Sequence, residues 1–195
     1  MTSRRDLLAA LSAGLLVAGC DRIFGPAKTP FNGVDITGAE LGPDFELTDH
    51  NGRRRTLADF RGKAVTLFFG YTQCPDVCPT TLAELARAMK QLGADGERVQ
   101  VLMVTVDPER DTPEILKQYV TALDPRFVGL AGDKDAIART AREFKVFYQK
   151  SPGPTAETFS VDHSSGSYVF DPHGGLRLLV GYGQWVMMGL GLQGV

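Results

Sequence analysis

The chain of 195 residues has the length of one ordinary domain, and its 43% hydrophobic and 23% charged residues are the composition of a folded protein. Its 21 basic and 23 acidic side chains give a net charge of -2, which argues against nucleic-acid binding. Three cysteines are too few for a disulfide-rich scaffold or for a zinc site with four cysteine ligands.

Residues 1–19 have the pattern of a bacterial signal peptide. Arg4 and Arg5 precede a short apolar stretch, residues 7–17, which is too short for a membrane-spanning helix. The arginine pair resembles a twin-arginine signal, and the run that ends at Cys20 resembles a lipobox. We expect a lipid on Cys20 and a location at the periplasmic face of the inner membrane. The alternatives are an uncleaved membrane anchor and a cytosolic helix.

The remaining chain divides into a tether, one domain and a tail. Residues 20–44 are rich in glycine and proline and have little periodicity, which predicts a lipidated flexible tether. Regular hydrophobic patterns begin at Phe45, so the domain is expected over residues 45–183, followed by a tail over residues 184–195.

Within the domain, the hydrophobic pattern alternates between strands and helices. The expected strands and loops are a strand at 45–48 before a hairpin turn at 49–52, buried strands at 64–69, 99–106 and 127–131, a short strand at 146–149, a polar loop at 150–166, and a hairpin formed by 168–170 and 176–179. Helices are expected to begin at Pro79, after the cap Thr112 and after the cap Asp133. The order predicts an α/β fold with a mixed central β-sheet flanked by helices, an N-terminal hairpin extension and a closing antiparallel hairpin.

Cys74 and Cys78 lie between a buried strand and the helix that Pro79 begins. Ligands normally bind at the carboxyl ends of strands in open α/β sheets, and a helix N-terminus favours a thiolate. We therefore expect the pKa of Cys78 to be depressed, with Asp76 opposing the effect. The C-x3-C spacing allows a redox-active pair, joint ligation of a soft metal, a structural disulfide or two inert thiols.

Three histidines are candidates for a third ligand. His50 and His173 lie in hairpin turns, where solvated side chains are expected. His163 lies among small residues at the end of the long polar loop, so its imidazole has room to approach a neighbouring loop. From the residues alone, a ligand and an ordinary loop residue both remain open for His163.

Four stretches of the chain carry a resemblance to a known family, within a match that runs from about Phe31 to Gly183: residues 69–81, 104–113, 161–164 and 168–172. They resemble the Sco/SenC family of copper chaperones, which have a thioredoxin-like fold. The resemblance implies that Cys74, Cys78 and His163 bind one copper ion. It also implies delivery of copper to, or thiol reduction of, the binuclear copper centre of cytochrome c oxidase subunit II.

The donor chemistry agrees with the resemblance, because two thiolates favour Cu(I) and an added imidazole also suits Cu(II). Expected partners are cytochrome c oxidase subunit II, other periplasmic copper chaperones or thiol reductants, and the membrane through the lipid; no nucleic acid is expected. Asp107 and Asp111 follow a strand end and either line the same face or serve in capping and turn formation.

Three other functions are compatible with parts of the pattern. The dithiol alone would support an extracytoplasmic thiol–disulfide oxidoreductase, for which His163 is unnecessary. A peroxiredoxin-like thiol peroxidase would need a proline and a threonine where this chain has Tyr71 and Pro75. A structural zinc site usually has four protein ligands, and three are visible.

The tail departs from the family, which usually ends in a charged amphipathic helix. The chain carries no charged residue after Arg177, and three of its last seven residues are glycine, which disfavours a helix. We expect a poorly ordered or imperfectly packed end over residues 184–195, as a frameshift or truncation in the coding sequence would produce.

Overall fold

A computed structural model describes residues 33–42, 44–153 and 158–185. The predicted signal peptide, the lipid site Cys20 and most of the predicted tether lie outside the described residues, as does the tail after Trp185. Among the helices of the described ranges, none combines the length and the apolar character needed to span a membrane.

Ten strands and three α-helices make up the described part of the domain. The strands are β1 (Val34–Asp35), β2 (Leu47–Asp49), β3 (Arg54–Arg55), β4 (Ala64–Gly70), β5 (Val99–Thr105), β6 (Val128–Ala131), β7 (Tyr148–Pro152), β8 (Phe159–His163), β9 (Ser167–Phe170) and β10 (Leu176–Val180). The helices are α1 (Val77–Leu92), α2 (Pro113–Thr121) and α3 (Lys134–Glu143), with short 3-10 helices at Leu57–Phe60 and Gly93–Arg98.

Eight of these strands form one mixed sheet in the order β1-β10-β9-β4-β5-β6-β2-β3. The pairs β4–β5 and β5–β6 are parallel, and the other pairs are antiparallel. The mixed sheet and the closing hairpin β9–β10 are confirmed. Strands β7 and β8 form a separate two-stranded sheet, which we call the arm (Tyr148–Pro152 and Phe159–His163).

The central strands β4 and β5 are apolar on both faces because helices cover both sides of the sheet. Leu67 and Leu102 pack with Ile137 of α3 on one face. On the other face, residues such as Met103 pack with Leu82 of α1 and with α2. The centre of the sheet is therefore packed on both faces, and β4 and β5 end there beside the cysteines.

The predicted helix caps at Thr112 and Asp133 are confirmed. The Thr112 hydroxyl accepts a hydrogen bond from the Ile115 amide at 3.4 Å, and the Asp133 carboxylate accepts one from the Ala136 amide at 2.7 Å. Helix α1 begins at Val77, two residues before the predicted start, so that Cys78 lies in its first turn.

The prediction of a polar loop over residues 150–166 is wrong, because β7 and β8 of the arm occupy much of this segment. The strand predicted at 146–149 is shifted, since β7 begins at Tyr148. The strands are mostly polar, and Val161 alone among the residues of the arm is buried, so the segment lacks the apolar alternation that reveals a strand.

The domain begins before Phe45, inside the segment predicted as a tether. Val34 of β1 pairs with Leu179 of β10, which adds an edge strand to the sheet. Gly42 donates a backbone hydrogen bond to the Glu143 carbonyl at 2.8 Å. These pairings are made with partners more than 100 residues away, which a local glycine and proline count does not detect.

Candidate metal centre

Three side chains from two parts of the fold converge at the end of β4. The sulfurs of Cys74 and Cys78 and a ring nitrogen of His163 all lie within 4.8 Å of one another. Both cysteines are free thiols; Cys74 is partly exposed and Cys78 is fully buried. The structure therefore brings together the three residues that the sequence singled out as ligands.

Gly70, the last residue of β4, makes room for the buried sulfur. A β-carbon at this position would lie 2.6 Å from Cys78 Sγ and 3.3 Å from the terminal methyl of Met103. Any side chain here would push Cys78 away from the site. Sequence reasoning missed Gly70, although a glycine that ends an apolar strand directly before the cysteines marks a close approach of two segments.

The loop before Cys74 is fixed by the buried carboxylate of Asp111. This carboxylate accepts hydrogen bonds from the Thr72 amide at 3.1 Å, the Thr72 hydroxyl at 2.6 Å and the Thr105 hydroxyl at 2.6 Å. Burial raises the pKa of Asp111, and these hydrogen bonds oppose that effect. Asp111 therefore lies on the same face as the cysteine loop and holds that loop through its side chain, whereas the helix cap is the neighbouring Thr112.

His163 ends β8, so the arm supplies the third side chain. Its Nδ1 lies 3.0 Å from the Ser164 carbonyl oxygen, which can only accept a hydrogen bond. Nδ1 therefore carries a proton, so in the neutral imidazole the unprotonated nitrogen is Nε2, which lies 3.6 Å from Cys78 Sγ. The ring of Tyr71 meets the imidazole edge-on, with centroids 5.9 Å apart, and limits its rotation.

The predicted depression of the Cys78 pKa is wrong for the metal-free site. Burial raises the pKa of the Cys78 thiol, and the nearby Cys74 raises it further; the hydrogen bond from the Tyr71 backbone does not compensate. The helix N-terminus is present as predicted, but desolvation of the thiolate outweighs it. A bound cation would supply the missing countercharge, so this site favours a deprotonated Cys78 when metal is present.

The other histidines stay away from the ligands. His173 is exposed, as predicted. His50 is buried rather than solvated, because its Nδ1 accepts a hydrogen bond from the Gly129 amide at 3.1 Å. Burial lowers the pKa of His50. Its role is to join the hairpin turn to β6.

Asp107 pairs with the guanidinium of Arg110 in the turn after β5, and its carbonyl accepts backbone hydrogen bonds of that turn, so its role is in turn formation. Sequence reasoning missed Arg110. Arg110 lies between Glu109 and Asp111, shortly before the helix cap Thr112, and such a sequence is typical of an ordinary polar turn.

A model of one protein family, SCO1/SenC, matches residues 34–186. The chain belongs to the SCO1/SenC family. The match covers the whole described sheet and all three candidate ligands, so the resemblance found in the sequence is confirmed.

Individual Sco proteins agree with this assignment. The chain is 44% identical over 133 residues to the mitochondrial protein SCO2 homolog of Bos taurus, covering 67% of this chain and 50% of that protein. It spans about half the length of the curated relatives it matches.

Solved Sco structures have the same fold. Apo Sco1 of Thermus thermophilus is 42% identical with a TM-score of 0.72, covering 82% of this chain and 92% of that chain. ScoI of Bradyrhizobium japonicum, solved with copper bound, is 39% identical with a TM-score of 0.66, covering 70% and 86%. The predicted α/β, thioredoxin-like fold is confirmed.

The residues present fit a copper ion. Two sulfurs and one imidazole nitrogen form a donor set for Cu(I) and Cu(II), and hard cations such as Mg²⁺ prefer oxygen. The missing side chain at Gly70 leaves the space that Cys78 Sγ occupies beside the other two donors.

Proposed function

We propose that this Sco-family chain is a copper chaperone that binds one copper ion through Cys74, Cys78 and His163. Copper is its cargo, and the recipient is the binuclear copper centre of cytochrome c oxidase subunit II. The chain either delivers copper to this centre or prepares, by reduction, the thiols that receive it. The observation that carries the proposal is the convergence of the three ligand atoms within 4.8 Å. The copper-bound ScoI of Bradyrhizobium japonicum supports it as a relative.

Each ligand has a distinct role in holding the cargo. The two thiolates are soft donors that suit Cu(I), and the neutral imidazole adds a donor that also suits Cu(II). The Ser164 carbonyl holds the His163 tautomer whose Nε2 is free to bind. A ligand of the recipient would add to these three donors or displace one of them when the ion is transferred.

The same cysteine pair can prepare the thiols of a recipient. A thiolate of the pair attacks the recipient's disulfide, and a mixed disulfide forms. The second cysteine then resolves it, so that Cys74–Cys78 becomes a disulfide and the recipient gains two thiols. Formation of this disulfide removes both sulfur ligands and thereby favours release of copper.

A general thiol–disulfide oxidoreductase is the alternative, since the dithiol is sufficient for exchange. It leaves the placement of His163 Nε2 at 3.6 Å from Cys78 Sγ without a purpose. For this reason we favour the metal-binding function.

We further propose that a lipid on Cys20 anchors the chain at the periplasmic face of the bacterial inner membrane. The lipobox that ends at Cys20 and the glycine-rich and proline-rich segment behind it support this location. Other periplasmic copper chaperones or thiol reductants would then be within reach to load copper or to reduce the pair.

Anaerobic titration of the reduced domain with Cu(I), against a competing chelator, tests the proposal. We expect one copper ion per chain. In a parallel titration with Cu(II), His163→Ala should bind the ion orders of magnitude more weakly than the wild type, while it keeps the Cys74–Cys78 redox couple. His173→Ala is the matched control, because this histidine is exposed. If His163→Ala binds Cu(II) like the wild type, the chaperone function is wrong and the oxidoreductase function takes its place.

A further inference from the structure

The arm is joined to the rest of the domain by side chains more than by its backbone ladder. Within the described residues, β7 and β8 pair with each other over five registered positions and with no strand of the main sheet. An isolated two-stranded ribbon is only marginally stable in water, so its position depends on what its side chains contact.

Arg110 contacts three segments at once. Its Nε pairs with the buried Asp107 carboxylate in its own turn. Its Nη1 donates to Gln73 Oε1, one residue before Cys74, at 3.1 Å, and to the Phe159 carbonyl at 3.0 Å. The guanidinium also lies over the Phe159 ring, 3.5 Å from its centroid.

We propose that Arg110 is a positioning residue that holds the arm against the cysteine loop and thereby places His163 opposite Cys78. The inference rests on the proposed copper-binding function and deepens it. Phe159 is the first residue of β8 and His163 is the last, so a clamp at one end of the strand fixes the direction of the other. Four residues of strand span about 13 Å, and pairing with β7 keeps that span straight.

The contacts require an arginine. A guanidinium is planar and presents several donors in a fixed fork, so it can pair with Asp107, bridge to two other segments and stack on a ring at the same time. A lysine would keep the charge beside Asp107 but has neither the fork nor the flat face. Arg110→Lys should therefore keep the ion pair with Asp107 but lose the position of the arm.

The contacts of Val161 and Lys150 are not sufficient to hold His163 in its position opposite Cys78. Val161 is buried against the core, which holds the middle of β8. Lys150 of β7 pairs with Glu109 at 2.9 Å, but both side chains are substantially exposed, and such pairs contribute little. Arg110 is only 17% exposed, and unlike Val161 and Lys150 it contacts the cysteine loop as well as the arm. Tyr71 of that loop contacts the His163 ring itself, and Arg110 holds the opposite end of β8.

Hydrogen exchange on the metal-free protein tests the clamp without copper. In Arg110→Met, we expect the amides of the β7–β8 ladder to exchange at least tenfold faster, while those of the β4–β5 ladder keep their wild-type rates. The matched control is Arg55→Met, which removes an arginine that also pairs with a buried aspartate, Asp49, and lies over a ring, Phe60. This control should leave the arm unchanged. Unchanged exchange of the arm in Arg110→Met would overturn the proposal.

A double-mutant cycle with copper shows whether Arg110 acts through His163. Arg110→Met should weaken Cu(II) binding at least tenfold in the wild-type background and have no further effect in His163→Ala. Arg110→Lys should resemble Arg110→Met, and Arg55→Met should bind like the wild type. An equal loss in both backgrounds would overturn the proposal, since Arg110 would then act on the cysteines.

Failure of the proposed copper-binding function can be told apart from failure of the proposal for Arg110. If the wild-type protein binds no copper, or if His163→Ala binds it normally, copper chaperoning is wrong. The hydrogen-exchange comparison of Arg110→Met with Arg55→Met then still decides whether Arg110 positions the arm.

Discussion

Gly70→Ala should reveal how closely the end of β4 is fitted to the buried sulfur. The new β-carbon would lie 2.6 Å from Cys78 Sγ, whereas ordinary contacts begin at 3.4 Å. Gly70 does not have a positive φ, so alanine can adopt its backbone conformation and the steric conflict is the main effect. The change isolates one contact between the strand and the first turn of α1.

The expected loss combines two opposing contributions. Overpacking a well-packed core typically costs about 1–3 kcal/mol. Replacing glycine by alanine in an unstrained position stabilises by about 0.4–1 kcal/mol, because the unfolded chain loses freedom. We expect Gly70→Ala to lower the free energy of unfolding by about 1–2 kcal/mol and, because Cys78 is displaced, to weaken copper binding.

Urea unfolding in two backgrounds provides the assay. In Cys78→Ala the sulfur is absent and the new methyl group has room, so Gly70→Ala should cost little or stabilise slightly there. Gly33→Ala is the control, since its β-carbon would meet its nearest neighbours at 3.4 Å and its φ is not positive. An equal loss of stability with and without the Cys78 sulfur would refute the steric argument.

Two further predictions concern Asp111 and Cys20. Because burial raises the pKa of Asp111, the native state binds a proton at a higher pH than the unfolded state does. The wild type should therefore gain stability relative to Asp111→Asn as the pH falls through the raised pKa, levelling off below the ordinary value of 3.8. Urea unfolding between pH 7 and pH 3 measures this difference, and a relative loss of wild-type stability in acid would contradict it. Cys20→Ser should abolish metabolic lipid labelling while Cys74→Ser keeps it; labelling that survives Cys20→Ser would contradict the proposed anchor.

Local sequence patterns predicted the elements that local interactions determine. Thr112 and Asp133 cap their helices through hydrogen bonds to residues three positions away, so the pattern and the structure agree. The hairpin β9–β10 likewise closes over a short turn whose residues include Gly174, with a φ of 84°. In these cases the information needed lies within a few residues of the chain.

The features that sequence reasoning missed depend on distant partners. His50 looks like a solvated turn residue, yet a hydrogen bond from Gly129, 79 residues away, holds it in the interior. The pKa of Cys78 follows burial by the assembled fold rather than the helix turn in which it lies. Strand β8 has one buried residue, Val161, so its own pattern resembles that of a loop.

The ligand set shows the same division. The cysteine pair is visible from its spacing and its place between a strand and a helix. His163 is 85 residues from Cys78, and the small residues near it in the chain leave both a ligand and an ordinary loop histidine open. The resemblance to Sco/SenC proteins singled it out, and the structure places its Nε2 beside the sulfur.

The candidate ligands belong to two different parts of the fold. The cysteines lie at the end of the central sheet, where Gly70 and Asp111 fix their loop, whereas the imidazole comes from the separately paired arm. A shift of the arm would therefore change the imidazole contact while both sulfurs stay in place. In the proposed function, two thiolates alone suit Cu(I) and the added imidazole suits Cu(II), so loss of the imidazole contact should weaken Cu(II) binding more than Cu(I) binding.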